Sequence, residues 1–259
     1  MCRWLNLPRS SYYYKTSEPV SEADLEEKVK QIFLESQSRY GARKIKQCLA
    51  ADGIILSRRR IRRIMKRLNL VSVYQQASFK PYAKGKNEAP IPNLLDRQFY
   101  QEKPLEVIVT DLTYVRVGQR WAYVCLIIDL FNREIIGVSV GWQKTAELVK
   151  QAIQSIPYAL TKVNLFHSDR GKEFDNQLID EVLEAFGITR SLSQAGCPYD
   201  NAVAESTYRF FKLEFIHQET FHSLKELTLK TKNYVHWWNH HRIHGSLNYQ
   251  TPIAKRVTA

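Results

Sequence analysis

Three β-rich runs follow one another between residues 105 and 142: "LEVIVTDLTYVRV", "RWAYVCLIIDLF" and "REIIGVSVGW". Each is dominated by β-branched and aromatic residues, and the connections between them are short, so they read as consecutive antiparallel strands. A helix, "TAELVKQAIQSIPYAL", comes next, then a short strand, "NLFHSD". A second helix, "NQLIDEVLEAFG", leads to a short strand, "ITRSLS", and then to a third helix within "GCPYDNAVAESTYRFFKLEF". Three strands, helix, strand, helix, strand, helix predicts an α/β domain: a mixed five-stranded sheet with helices on its faces. A last helix, "SLKELTLKTKNYVHWWNHH", is expected to close the chain.

The residues ahead of the strands have a different texture. "SEADLEEKVKQIFLES" has helical spacing at Leu25, Val29, Ile32 and Phe33, and "RYGARKIKQCLAADGIILSRRRIRRIMKRLNL" follows. Gly53 is expected to end one helix and Ser57 to cap the next. In that next helix Ile61, Ile64, Met65 and Leu68 share a face, so Arg59, Arg63 and Lys66 point away from it, with Arg62 and Arg67 on the flanks. Seven of the ten residues from Arg58 to Arg67 are basic. A solvated helix face is the plainer reading of a charge run. Here no acidic residue stands at i,i+4, and the like charges repel unless an anion lies against them. That favours contact with DNA phosphates through Arg59, Arg62, Arg63 and Lys66, and the short turn between helices suggests a helix-turn-helix.

The charge of the whole chain agrees: 38 Lys+Arg against 26 Asp+Glu leave +12 over 259 residues, a balance that favours polyanions. No segment approaches the roughly 20 apolar residues that span a bilayer, so no membrane partner is expected. The N-terminus lacks a signal-peptide core. Cys2, Cys48, Cys125 and Cys197 are far apart and show no CxxC, which fits a reducing, cytoplasmic compartment. From Tyr74 to about Arg97, "QQASFKPYAKGKNEAPIPNLLDR" carries three prolines and little periodicity. The expected organisation is a basic helical region over 1–73, a linker over 74–98 and an α/β domain over 99–259.

Three carboxylates stand out by position. Asp111 lies in the middle of a very apolar strand, where a charge is expensive unless it meets a cation or a cleft. Asp169 ends the fourth strand, and strand ends of such sheets carry function. Glu205 sits in the first turn of its helix, with Arg209 and Lys212 along the same side. If the first and fourth strands are neighbours, Asp111 and Asp169 lie side by side and the helix can lay Glu205 beside both. Three close carboxylates do not all ionise without compensation, and oxygen-only ligands suit Mg²⁺ or Mn²⁺. Two such ions about 3.5–4 Å apart can activate a hydroxyl and stabilise a leaving oxygen in phosphoryl transfer. With a basic face upstream, the expected substrate is a phosphodiester of double-stranded DNA.

These segments together resemble the OrfB-type transposases of the bacterial insertion-sequence-three family and, more distantly, retroviral integrases. The resemblance rests on "VTDLTYV" at Asp111, "FHSDRGKEF" at Asp169, "PYDNAVAESTYRFFKLE" at Glu205, the tail "HWWNHHRIHGSLNYQTP" and "YGARKI" near the head. Thirty-five residues stand between Asp169 and Glu205, the spacing of that catalytic class. Two departures touch none of the carboxylates: Glu106–Val107 stands where relatives often have Trp, and "HSDRGKEF" lacks their usual Gln-Tyr ending. The resemblance implies a ribonuclease-H-like catalytic domain in which Asp111, Asp169 and Glu205 hold two Mg²⁺ ions and Lys212 contacts a phosphate. It implies strand cleavage at the element's ends, strand transfer, at least two protein copies on paired ends, and association with the product of an upstream reading frame.

Other residues invite plainer readings. Asn201 either caps its helix or helps position the DNA end, and Arg209 and Arg242 are candidate DNA contacts. Asp129 reads as a turn residue. His236, His240, His241 and His244 look like a metal cluster but lack cysteine partners, and packing with Trp237 and Trp238 is expected instead. Two alternatives remain at this level: a DNA-binding repressor without catalysis, and a ribonuclease-H-type nuclease that cuts without joining.

Overall fold

The computed structural model describes residues 21–75, 91–194 and 196–258. Residues 1–20 of the basic region, with Cys2, and residues 76–90 of the expected linker lie outside them. The chain divides into two compact units, Met1–Gln75 and Gln76–Ala259.

In the first unit three helices, α1 (Glu22–Glu35), α2 (Ala42–Ala51) and α3 (Arg58–Arg67), bury Leu25, Val29, Phe33, Ile45, Leu49, Ile61, Ile64 and Met65. The Ser57 side chain accepts from the Arg60 N–H at 3.2 Å, the expected cap. Gly53, at φ +78°, ends α2 in the left-handed conformation that glycine adopts without a Cβ penalty. Two arginines of α3 have acidic partners, supplied by the neighbouring helix rather than by their own. Glu22 of α1 pairs with Arg60 and, at 3.1 Å, with Arg67, and Glu26 pairs with Arg67 at 2.5 Å. Spacing along one helix cannot report a partner on another.

In the second unit a five-stranded sheet has the order β3-β2-β1-β4-β5. The strands are β1 (Val107–Val117), β2 (Arg120–Asp129), β3 (Ile135–Gly141), β4 (Leu165–Ser168) and β5 (Thr189–Leu192). The first three form the antiparallel meander, while β4 pairs in parallel with both β1 and β5. Helices α4 (Ala146–Gln154) and α5 (Gln177–Ala185) pack one face, against Ile108, Cys125 and Ile127. Helices α6 (Ala202–Glu214) and α7 (Leu224–His240) pack the other, where Val109, Val115, Val124 and Leu126 meet Tyr208, Phe211 and Trp238. Burial on both faces accounts for the near-continuous apolarity of β2. Gly137 of β3 is required by this packing, since a Cβ there would stand 2.6 Å from the Ala152 carbonyl oxygen of α4.

Two short segments close this unit. The C-terminal helix α8 (Pro252–Val257) brings Arg256 to Asp129 at 2.7 Å and to Glu134 at 2.6 Å. Asp129 also accepts from the N–H groups of Leu105 and Phe131, each at 3.0 Å, the expected turn role. Residues 91–97, read from sequence as linker, pack along β5. The Leu192 N–H donates to the Pro92 carbonyl, the Leu94 N–H donates to Ser191 Oγ at 2.9 Å, and Leu95 is buried.

Candidate active site

Asp111 lies halfway along β1, at the point where β4 stops pairing with it. The parallel register matches Val109 with His167, so continuing it two residues sets Asp111 opposite Asp169. Among the described residues no strand covers that edge of β1 between Val109 and the single bridge of Val117 to Phe221, and the carboxylate of Asp111 is half-buried rather than sealed in. Each aspartate accepts one nearby backbone N–H: Asp111 from Leu112 at 2.7 Å and Asp169 from Gly171 at 2.9 Å.

The third carboxylate arrives on α6, which three hydrogen bonds anchor to the same stretch of the meander. Asn201, just before the helix, donates to the Thr110 carbonyl at 3.0 Å. One turn after Glu205, the Tyr208 hydroxyl donates to the Asp111 carbonyl and accepts from the Leu126 N–H. Glu205 is exposed at the N-terminal end of α6, and Lys212 lies two turns further along the same side.

The electrostatics match this convergence. Burial, then the nearby charge of Asp169 and of Glu205, push the Asp111 carboxyl up to about 7, against the opposing pull of the Leu112 N–H and Lys212. Asp169 is raised chiefly by burial, with Glu173 adding to it, and burial also raises Glu205. Among the described residues no three His, Cys, Asp or Glu side chains are already drawn together as a metal cluster. Asp111 is the group that feels both other carboxylates.

Four residues at this site were not singled out from sequence. Lys144, in the turn after β3, pairs with buried Glu173 at 2.7 Å. Although desolvation opposes it, the charges of Glu173, Asp169 and Asp111 hold the Lys144 ammonium's pKa above its ordinary value. Gly171 makes room for that pair, since a Cβ on it would lie 2.3 Å from Glu173 Oε1. His167 is buried with its two ring nitrogens 2.8 and 3.0 Å from the hydroxyls of Ser191 and Ser193, which ties β4 to β5 just before Asp169. Lys144 sits in a loop with no periodic signal, and although Gly171 and Glu173 stood in view within "FHSDRGKEF", nothing in that segment shows the lysine it meets. The histidine stood in view within "FHSD", and its serine partners lie more than twenty residues on.

Two candidate DNA contacts are corrected. Arg242 is buried, 3% exposed, with its guanidinium on Glu214 at 2.8 Å and stacked over the Trp238 ring. Asn201 is buried and makes no cap bond to its helix; its amide is committed to Thr110. Arg209 is exposed, as are Arg59, Arg62, Arg63 and Lys66 in the first unit. Arg59 and Arg63 line a surface cleft there with Ser57, Arg60 and Arg67. Of the four tail histidines, His244 packs edge-on against Trp238 at 4.6 Å, as expected. His236, His240 and His241 are exposed and stack on one another instead.

Comparison with known proteins bears on this arrangement. An integrase core domain family matches residues 101–198, a second integrase core domain family matches 186–252, and an HTH-like domain family matches 20–78. The putative transposase InsK for insertion sequence element IS150 of Escherichia coli is 30% identical, the match covering 99% of this chain and 92% of that protein. The insertion element IS600 uncharacterized 31 kDa protein of Shigella sonnei is also 30% identical, over 99% of this chain and 97% of that protein. Among solved structures, the HTLV-2 integrase catalytic core domain in complex with magnesium is 16% identical, with a TM-score of 0.48 over 59% of this chain and 97% of that one. With relatives at 30% identity matched along nearly their whole length, and an integrase core following an HTH-like domain, this chain belongs to the insertion-sequence-three family of transposases.

Proposed function

We propose that this transposase cleaves and joins DNA strands at the ends of its element, using Asp111, Asp169 and Glu205 as the ligands of divalent cations. The observation that carries the reading is the convergence just described: Asp111 on β1 beside the end of β4 that Asp169 directly follows, and a helix that is anchored at Asp111 itself and carries Glu205. The donor set fits such an ion. All three ligands are carboxylate oxygens, which suit hard cations, and all three are held above their ordinary pKa by burial, Asp111 also by the other two carboxylates. A bound cation relieves both penalties.

Two Mg²⁺ ions, replaceable by Mn²⁺, supply Lewis-acid activation of the attacking and leaving oxygens when bound there. The chain's own residues then have separate tasks. Asp111 is fixed by strand register, Asp169 by following directly on β4, and each by its backbone donor, which supports a site preorganised on rigid elements. Lys212, on the Glu205 side of α6, is assigned to a DNA phosphate, and Arg209 extends that basic side. Beside Asp169 the charges of Lys144 and Glu173 oppose one another, so that ion pair adds no net charge to the site. In the first unit Arg59, Arg62, Arg63 and Lys66 hold the duplex through its phosphates. Pairing of two element ends calls for more than one copy of the chain, with the upstream frame's product contributing further DNA contacts.

The test uses labelled duplexes ending in the repeats that flank the gene, with Mg²⁺ or Mn²⁺. Wild type is expected to nick and join them and Glu205→Gln to do neither. Hydrolysis without joined products would favour the nuclease reading. Binding with no metal-dependent cleavage, even with the upstream product present, would favour the repressor.

A further inference from the structure

The β1–β2 hairpin runs past the helices that cover its lower half. Its register pairs Tyr114 with Tyr123 and Arg116 with Trp121, and residues opposite one another in an antiparallel pair share a face. On that face Leu112, Cys125 and Ile127 belong to the core under α4 and α5. Helix α4 lies over β3 and β2 and leaves the outer part of β1 uncovered. The result is an aromatic pair in the open. Tyr114 is 59% exposed and Trp121 48% exposed, with ring centroids 5.1 Å apart at 88°. The reverse face of the same hairpin is fully used, since Val115, Val117 and Ala122 are buried there.

Cations flank both rings. The Arg116 guanidinium lies 5.2 Å from the Trp121 ring centroid, and Lys212 Nζ lies 5.3 Å from that of Tyr114. Among the described residues no carboxylate within 4 Å pairs with either one; Arg116 donates instead to the Gly118 carbonyl at 3.0 Å. Lys212 reaches Tyr114 from α6, around the edge of β1 that, among the described residues, carries no strand between Val109 and Val117. Tyr114 is three residues beyond Asp111, on the order of 10 Å along an extended strand and on the opposite face, so the two communicate around the open edge of β1 that Lys212 crosses.

We infer that Tyr114 and Trp121 form a stacking platform for unpaired DNA bases, with Arg116 and Lys212 taking the phosphates between them. The inference rests on the transposase reading, because cleavage at an element end is what places unpaired nucleotides beside Asp111. An apolar protein partner is disfavoured by the two unpaired cations set against the rings. A nucleotide strand satisfies both features, since each base has a π-face and each linkage a negative charge. The platform tolerates any base, so it holds the freed strand without reading its sequence.

The experiment uses the full chain and a short duplex with a single-stranded overhang carrying 2-aminopurine, beside the same duplex with an abasic overhang. Wild type is expected to quench the 2-aminopurine and to prefer the base-bearing overhang. Trp121→Ser and Tyr114→Ser are each expected to weaken that binding about tenfold. Tyr114→Phe and Trp121→Tyr, which keep a π-face, are expected to bind as wild type does. The abasic comparison needs no variant, so it decides the matter even if a serine variant melts early. Equal affinity of wild type for the two overhangs overturns the platform. So does unchanged overhang binding by folded serine variants, including the case in which they lose self-association instead. Metal-dependent cleavage of a blunt duplex is scored separately, so its absence bears on the transposase reading and leaves the stacking result to stand or fall alone.

Discussion

The hydroxyl of Tyr208 donates to the backbone carbonyl of Asp111 while accepting from the N–H of Leu126, the residue paired with Asp111 across the hairpin. A side chain from α6 is therefore tied into the sheet ladder beside a candidate catalytic carboxylate, one helical turn from another. Tyr208→Phe keeps the ring but leaves those buried backbone groups short of a partner, at a cost of about 1–3 kcal/mol. Because the anchor also sets where Glu205 hangs, cleavage is expected to slow while duplex affinity holds. Denaturant melts and single-turnover cleavage check both halves, and an unchanged melt would show that the bond contributes nothing.

The carboxylates oppose folding in the absence of metal. Asp111 titrates near 7 in the folded protein against 3.8 as its ordinary value. The folded state therefore binds more protons between those values, and stability from this group is full below about pH 3.8 and lost as pH rises through about 7. Asp111→Asn removes that term, and it is expected to stabilise the metal-free protein by roughly 1–3 kcal/mol at pH 8 while abolishing cleavage. Thermal melts in chelator across pH 5–8 measure this. A variant less stable than wild type at pH 8 would contradict the assignment.

Arg242 is a structural cation. Its guanidinium meets Glu214 at 2.8 Å inside a cluster with Trp238 and Phe210, and Glu214 also accepts from the Tyr234 hydroxyl. Arg242→Ala strands a buried carboxylate and is expected to cost about 3–5 kcal/mol. The salt dependence of DNA binding by the remaining folded protein should not move. A shallower salt slope with an unaltered melt would restore Arg242 to the DNA surface.

The arginines of α3 divide by their partners. Glu22 and Glu26 neutralise Arg60 and Arg67, whereas Arg59 and Arg63 have no such pairing among the described residues. Replacing Arg59 or Arg63 by Ala is expected to reduce the slope of log affinity against log salt by about one. Arg60→Ala should reduce it less, because removing Arg60 also frees Glu22. Titrations of a duplex at several salt concentrations distinguish the two pairs.

What the sequence determined by itself is what depends on neighbours in the chain. Helical and strand periodicity marked every element of the second unit through α7, and Ser57 and Gly53 set the ends of their helices through bonds spanning a few residues. The motifs around Asp111, Asp169 and Glu205 also picked out three carboxylates, of which Asp111 carries the charge influence of the other two in the fold. Tertiary structure decided how each charged or polar side chain is spent. Arg242 and Asn201 read as surface contacts because nothing in their own segments shows that Glu214 and Thr110 lie against them in the core. The acidic partners of α3 come from another helix, and the Lys144–Glu173 pair joins two loops. The exposed Tyr114–Trp121 pair arises because the hairpin outruns α4, a matter of relative lengths in space. Backbone preference is local and survives in one dimension. Burial and ion pairing depend on which surfaces meet, and that is settled when the sheet closes against its helices.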